Sequence, residues 1–258
     1  MVHAGVTSFR RAHRGAARLL RTVRVLGGID TVLAAIAAYA LQLPAKRGKA
    51  FDERFGIETT EPVVVNPRDY IDDSYRSAIW YFPSIPEVFD SVMQTLKIRA
   101  EEYAFVDVGC GKGRVLIMAA QLPFRRVLGV ESSTATASIA RTNVGVAAGR
   151  SSLRAPVDVL TCNALSFDFP PVDLLIYLYN PFSKLDAYVE FLGNLEVSLK
   201  AHPRKVVLVY TCPEHVRAFE ECHFLEPIAR YELLVSEYTW CAFTNTRYRT
   251  PRADPDAV

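Results

Sequence analysis

The sequence predicts an α/β fold: a doubly wound, mostly parallel seven-stranded sheet that ends in an antiparallel strand pair, with an N-terminal helical extension. Three observations predict it. From residue 85 onward, short apolar runs alternate with stretches of helical spacing, the pattern of strands joined by crossover helices. One run ends in closely spaced glycines, Gly109, Gly111 and Gly113, where a strand turns into a helix. The last two apolar runs follow each other without a helical stretch between them, as an antiparallel pair would.

Bulk properties agree with this class. The 258 residues suffice for one large domain with an extension, and 50% hydrophobic with 22% charged residues excludes a disordered chain. A net charge of +2 is too small to argue for a nucleic-acid partner. Five cysteines (Cys110, Cys162, Cys212, Cys222, Cys241) form no CxxC pair, which fits reduced thiols in a cytoplasmic protein. His202, His215 and His223 lie far apart, and no spacing suggests a metal site.

Residues 1–50 read as a basic and apolar helical extension. Arg10, Arg11, Arg14, Arg18, Arg21 and Arg24 recur at roughly helical spacing, and no acid precedes Asp30. The apolar stretch from Thr31 stops at Pro44, shorter than the roughly 20 residues a bilayer span needs. Nothing after it looks like a signal-peptide cleavage site. Three readings stay open: a helical cap on the domain, a basic surface helix laying residues 8–43 on anionic lipid, or an organelle-targeting segment. The commonness of helical extensions favours the cap. Lys46 to Lys49 mark the seam. Residues 51–84, rich in aromatics and prolines, read as an irregular lid or substrate segment.

The domain proper is expected over 85–245. Val88, Val92, Met93 and Leu96 predict a helix over 86–97, with proline at its start. A strand over 103–108 runs into the glycine turn and a helix over 113–121. A second strand, 126–130, closes on Glu131, and a helix over 133–146 follows with Ser132 or Ser133 as its cap. Strands are expected at 156–161, 172–178 and 205–210, with a helix over 184–199. A short helix after Pro213 leads to the closing runs at 224–234 and 237–244. Residues 246–258, with Arg247, Arg249 and Arg252, read as a flexible tail.

The chemistry sits in Phe105-Val106-Asp107-Val108-Gly109-Cys110-Gly111-Lys112-Gly113-Arg114. Glycines let the backbone turn tightly and approach a ligand, and the following helix aims free N–H groups at it. Such a loop suits a dinucleotide or S-adenosylmethionine. The dinucleotide fingerprint needs Gly-x-Gly-x-x-Gly, and its third position here is Arg114. The chain has Gly-x-Gly-x-Gly with an acid two residues ahead, the pattern of class I methyltransferases. Glu131, at the end of the second strand, is placed to accept the ribose hydroxyls of an adenosine in either cofactor class. Asn163-Ala164 follows the third strand, where methyltransferases often have Asp-Ala against the adenine. Asn163 departs from that, although its amide oxygen can accept from the adenine amino group.

After the fourth strand comes Tyr177-Leu178-Tyr179-Asn180-Pro181-Phe182. A side-chain amide, a carbonyl ahead of proline and an aromatic ring would clamp an amino nitrogen with its lone pair aimed at a methyl group; the plain alternative is an Asn-Pro turn. Together with Tyr81-Phe82-Pro83-Ser84, the Phe105–Arg114 run and Gly129-Val130-Glu131, this motif makes residues 51–210 resemble Rossmann-like bacterial class I methyltransferases grouped with the Dot-type, non-SET protein-lysine enzymes. The resemblance implies S-adenosylmethionine as cofactor. It implies Tyr81 and Ser84 at the methionine end, with Asp107, Gly109, Cys110, Gly111, Gly113, Glu131, Asn163 and Ala164 completing the site. Asn180, Pro181 and Phe182 would then serve catalysis, and the acceptor would be a protein lysine or a small-molecule amine. The motif lacks one proline of the Asn-Pro-Pro-aromatic form found in enzymes that methylate amino and amide nitrogens. An NAD-binding oxidoreductase and a cofactor-binding partner without turnover are the competing readings.

Overall fold

The structure is a computed structural model that describes residues 48–61, 63, 66–78, 81–231, 239–246 and 248. The expectations for residues 1–47, including the membrane-contact reading, lie outside the described residues, as does most of the C-terminal tail. Among the described residues, no helix is long and apolar enough to cross a membrane.

Strands β1 (Ala104–Val108), β2 (Arg126–Glu131), β3 (Val157–Thr161), β4 (Leu174–Tyr179), β5 (Val206–Thr211), β6 (Leu225–Tyr231) and β7 (Trp240–Asn245) form one sheet in the order β3-β2-β1-β4-β5-β7-β6. The first five are parallel; β7 enters antiparallel between β5 and β6. Among the described residues, the helices that follow residue 85 are α1 (Pro86–Leu96), α2 (Arg114–Ala120), α3 (Thr134–Arg150), α4 (Leu185–Ala201) and α5 (Arg217–Glu220). The seven predicted strands are all present, in the predicted places.

The period-two alternation of strands divides the core. Phe105, Val127, Leu175 and Val207 point to the face covered by Val88 and Val92 of α1 and Leu116 of α2. Val106, Leu128, Ile176 and Leu208 point to the face covered by Tyr188, Phe191 and Leu195 of α4 and by Phe219. Ser133 caps α3, its hydroxyl accepting the Thr136 N–H at 3.2 Å.

Two expectations need correction. Residues 48–55 are helical, so a helix runs from the predicted Lys46–Lys49 seam across the expected boundary after residue 50, and 51–84 is not irregular throughout. Phe51 and Phe55, one turn apart, bury against Ile117 and Ala147, and that packing carries the helix past the seam. Thr246 and Tyr248 are tied to the domain rather than loose: the Thr246 N–H donates to the Phe224 carbonyl at 2.9 Å, and the Tyr248 hydroxyl to Glu196 at 2.9 Å.

The outer strands carry local irregularities. Arg141 on α3 donates from Nε and Nη2 to the carbonyl of Val159 in β3, at 3.2 and 3.0 Å. On the opposite edge, the register of β6 shifts between Pro227 and Ala229.

Because β1 is flanked by β2 and β4, the chain leaves it in opposite directions on its two sides. A crevice opens at the carboxyl ends of strands at such a switch point, which is where open α/β sheets bind ligands.

Candidate functional site

A cleft at that position is lined by the ends of β1, β2 and β4 and by residues of the 63–84 segment. Its floor is the turn between β1 and α2. Gly109, Gly111 and Gly113 all have positive φ, at 74°, 54° and 88°, so side chains at all three would strain the backbone. Space is short as well: a Cβ on Gly111 would lie 2.2 Å from Tyr81 Cε2, and one on Gly109 would lie 3.0 Å from Pro181 Cβ. The loop is therefore pressed between Tyr81 and Pro181. Val130 anchors it from below, its carbonyl accepting the N–H groups of Gly109 and Cys110 at 2.9 and 3.0 Å.

Three acidic residues line this cleft, Asp69 from the 66–78 segment and Asp107 and Glu131 from the sheet. Glu131 accepts the Gly111 N–H at 3.0 Å and the Ser133 N–H at 2.9 Å, one on each oxygen. Burial raises its carboxyl above the ordinary value, and the N–H groups of Ser133 and Gly111 pull the other way. Asp107 is 3% exposed, lines the cleft and accepts no hydrogen bond from the described residues. Burial, and then the nearby charge of Glu131, push its carboxyl well above the usual range.

The segment predicted as a lid runs across the mouth. Tyr70 forms an antiparallel bridge with Ser133, the Ile71 N–H donates to the Ser132 carbonyl at 3.2 Å, and Thr134 Oγ1 donates to the Asp69 carbonyl at 2.8 Å. Farther along, Asn163 Nδ2 donates to Asp72 at 3.0 Å, and the Ser183 N–H donates to the Ser77 carbonyl at 2.7 Å. Residues 66–78 thus form a strap fastened to the ends of β2, β3 and β4.

Of the sequence-predicted cofactor residues, Tyr81, Ser84, Asp107, Gly109, Cys110, Gly111, Glu131, Asn163 and Ala164 all line the cleft. Gly113 does not. With φ at 88° it starts α2 from a left-handed conformation, and a Cβ there would make only an ordinary contact with Ala140 at 3.4 Å. The Asn163 oxygen accepts the Leu165 N–H at 3.0 Å, which caps a 3-10 turn and leaves one lone pair toward a ligand.

The acceptor motif is split. Pro181 and Phe182 line the cleft; Asn180 does not. With φ at 46°, Asn180 turns its side chain into the core, where its oxygen accepts the hydroxyls of Tyr188 and Tyr210 at 2.8 and 2.7 Å. The Tyr210 oxygen accepts the N–H groups of Glu214 and His215 at 3.2 and 3.3 Å, and its one proton is shared between Asn180 and the Tyr188 hydroxyl oxygen at 2.9 Å. The amide oxygen expected to clamp an acceptor instead ties the turn to α4 and β5.

Sequence reasoning missed Arg114 as an anchor. Its buried guanidinium donates to Thr59, Thr60, Ser84, Gly48 and Asp52, fastening residues 48–60 and Ser84 onto the start of α2. It also missed Tyr70, Ser132, Ser133 and Thr136 in the lining. The aromatic content of 51–84 was the available signal for Tyr70, and none singled it out.

No family model matches the chain, and no curated protein matches it. The chain is similar to an RNA methyltransferase from Salinibacter ruber solved with S-adenosyl-L-homocysteine (19% identity, 67% of this chain and 97% of that one, TM-score 0.43). It is also similar to an S-adenosylmethionine-dependent methyltransferase from Aquifex aeolicus (15%, 62% and 97%, TM-score 0.44). A third is a ribosomal protein L11 methylase from Lactobacillus delbrueckii subsp. bulgaricus (14%, 61% and 76%, TM-score 0.42).

Proposed function

We propose that this protein is a class I S-adenosylmethionine-dependent methyltransferase acting on a nucleophilic nitrogen, with protein lysine as the leading acceptor. One observation carries the reading: Asp107, a buried carboxyl that lines the cleft near Glu131 and has no hydrogen-bond donor among the described residues. Two buried carboxyl groups beside a glycine loop have their ionised forms stabilised by a cation and disfavoured by a pyrophosphate, so they select a cationic ligand. S-adenosylmethionine brings two positive centres, an ammonium and a sulfonium, and NAD brings a pyrophosphate.

The remaining residues fit the same ligand. Glu131 accepts the Gly111 N–H from the glycine loop on one oxygen and the Ser133 N–H on the other, and its remaining lone-pair capacity suits a ribose hydroxyl. Tyr81 and Ser84 stand at the loop, where a methionine end would lie, and Asn163 and Ala164 stand where an adenine would. When bound, the cofactor would supply an electrophilic methyl carbon for a neutral amine, the C–S electron pair passing to sulfur and the surplus proton leaving the product nitrogen to solvent. Pro181, packed over Gly109, and Phe182 set the line of approach, and alignment supplies most of the rate.

An amine acceptor is supported by charge. Arg114 carries the sole guanidinium among the described lining residues and is spent on Asp52, Thr59 and Thr60, whereas Asp69 also lines the cleft. An anionic backbone finds little to meet there. The inward turn of Asn180 favours a second reading, a cofactor-binding protein without turnover.

The test is calorimetric titration with S-adenosylmethionine, S-adenosylhomocysteine and NAD, on the protein and on Asp107→Asn and Glu131→Ala, followed by transfer from a labelled methyl donor. Binding of the adenosyl ligands alone, weakened in both variants, is expected. NAD binding, or no adenosyl binding by folded protein, overturns the reading. Binding without transfer to protein or amine acceptors selects the second one.

A further inference from the structure

The strap brings one aromatic residue to the cleft by main-chain bonds. Tyr70 is half-buried and lines the cleft. The attachments of Asp69, Tyr70 and Ile71 to Thr134, Ser133 and Ser132 fix its backbone relative to the end of β2, and so relative to Glu131. Tyr75 meets its ring edge-on, with centroids 6.3 Å apart, which limits how the ring swings. Its hydroxyl has no hydrogen-bond partner among the described residues. Burial first, then the charges of Glu131 and Asp69, push that hydroxyl up to about 12, so it stays protonated at neutral pH.

A half-buried ring held by its own backbone, on the strap side of a cleft whose sheet side carries Glu131, has the form of a pocket wall. Resting on the reading that an adenosine occupies the cleft at Glu131, we propose that Tyr70 is a cofactor-contacting residue whose ring forms the outer wall of the nucleoside subsite. The contact is sequence-remote: Tyr70 lies far from the glycine loop along the chain, in a segment without a recognisable motif. It places part of the cofactor's affinity on the strap, so any acceptor that displaces the strap also loosens the nucleoside.

The experiment uses the full chain with Tyr70→Phe and Tyr70→Ala, titrated with S-adenosylhomocysteine and with 5′-methylthioadenosine, which lacks the amino-acid end. Tyr70→Ala is expected to weaken both ligands by the same factor, on the order of tenfold or more, the worth of a base–aromatic contact. Tyr70→Phe is expected to bind both as the parent does. Unchanged binding by Tyr70→Ala overturns the proposal, and so does weakening of S-adenosylhomocysteine alone, which would put the contact at the amino-acid end. Equal loss in Tyr70→Phe overturns the role of the ring in favour of the hydroxyl. Should Tyr70→Ala fail to fold, Tyr70→Leu keeps the bulk without the aromatic face and takes its place. A parent protein that binds neither ligand removes the methyl-donor reading and this one together, whereas a binding parent with an indifferent Tyr70→Ala removes only this one.

Discussion

Replacing Asp52 with alanine tests the anchor that joins residues 48–60 to the helix after the glycine loop. Arg114 has a side chain 3% exposed and Asp52 one 10% exposed, so the pair is removed from water. Removing one partner of a buried ion pair costs about 3–5 kcal/mol, because the other charge stays behind uncompensated. Here Thr59, Thr60, Ser84 and Gly48 still accept from the guanidinium, which puts the expected cost near the lower limit, about 3 kcal/mol. Arg114→Met should cost less, about 1–3 kcal/mol, since Asp52 keeps the Thr59 N–H at 2.7 Å and the Thr60 hydroxyl at 2.8 Å. The double variant should lose less than the two singles combined, by about 2 kcal/mol. Denaturation in guanidinium chloride, with an unchanged m value, measures all three. A thermal scan should show Asp52→Ala melting about 6–12 °C lower, at roughly 2–4 °C per kcal/mol for a domain of this size. Costs that add within about 0.5 kcal/mol, or an Asp52→Ala cost below about 1 kcal/mol, would refute the reasoning.

Gly111→Ala combines positive φ with a clash against Tyr81; calorimetry should show adenosyl affinity falling more than about tenfold while circular dichroism stays native, and undiminished affinity would remove the loop from the site. Asp107→Asn should stabilise the unliganded protein: a carboxyl raised above its ordinary 3.8 favours folding below that value and loses this contribution as pH rises toward its folded value. Its melting advantage over the parent should therefore grow from pH 4 to pH 8, while its affinity for S-adenosylmethionine drops; a pH-independent difference would contradict the burial argument. Tyr210→Phe leaves the Glu214 and His215 N–H groups unpaired and takes one donor from Asn180, so urea unfolding should register a loss of about 1–3 kcal/mol, and a loss within error would mean that water replaces the hydroxyl.

The sheet was legible because its strands are apolar runs bounded by turn residues, and both signals are local. Ala104–Val108 and Arg126–Glu131 fall within a residue of expectation for that reason. The α3 helix runs on to Arg150, four residues past its predicted end at 146, because Val144 and Ala147 pack against Phe51 and Phe55 from a distant part of the chain. The glycine loop and Glu131 could be found from spacing within one β-α-β unit. Asn180 could not be read in full: its type and place are local, but its orientation depends on two hydroxyls, eight and thirty residues away. Arg114 was read by what it is not, a third glycine, while its use depends on Asp52 and Thr59, far back in the sequence. Composition marked the strap as irregular, and only tertiary bonding reveals which strand ends it spans.

The irregular outer strands bear on how this protein behaves in a crowded solution. A free sheet edge presents a row of unsatisfied amide groups to which any extended chain can zip. At β3 the Arg141 guanidinium occupies the Val159 carbonyl, leaving a foreign strand a positive charge where it needs an acceptor. At β6 a proline removes a donor, and the register shift beside it breaks the straight line that a second sheet would have to follow. Both rims are thus guarded by means that leave the carboxyl ends of the strands untouched, so that end can stay open without the flanks seeding a fibre.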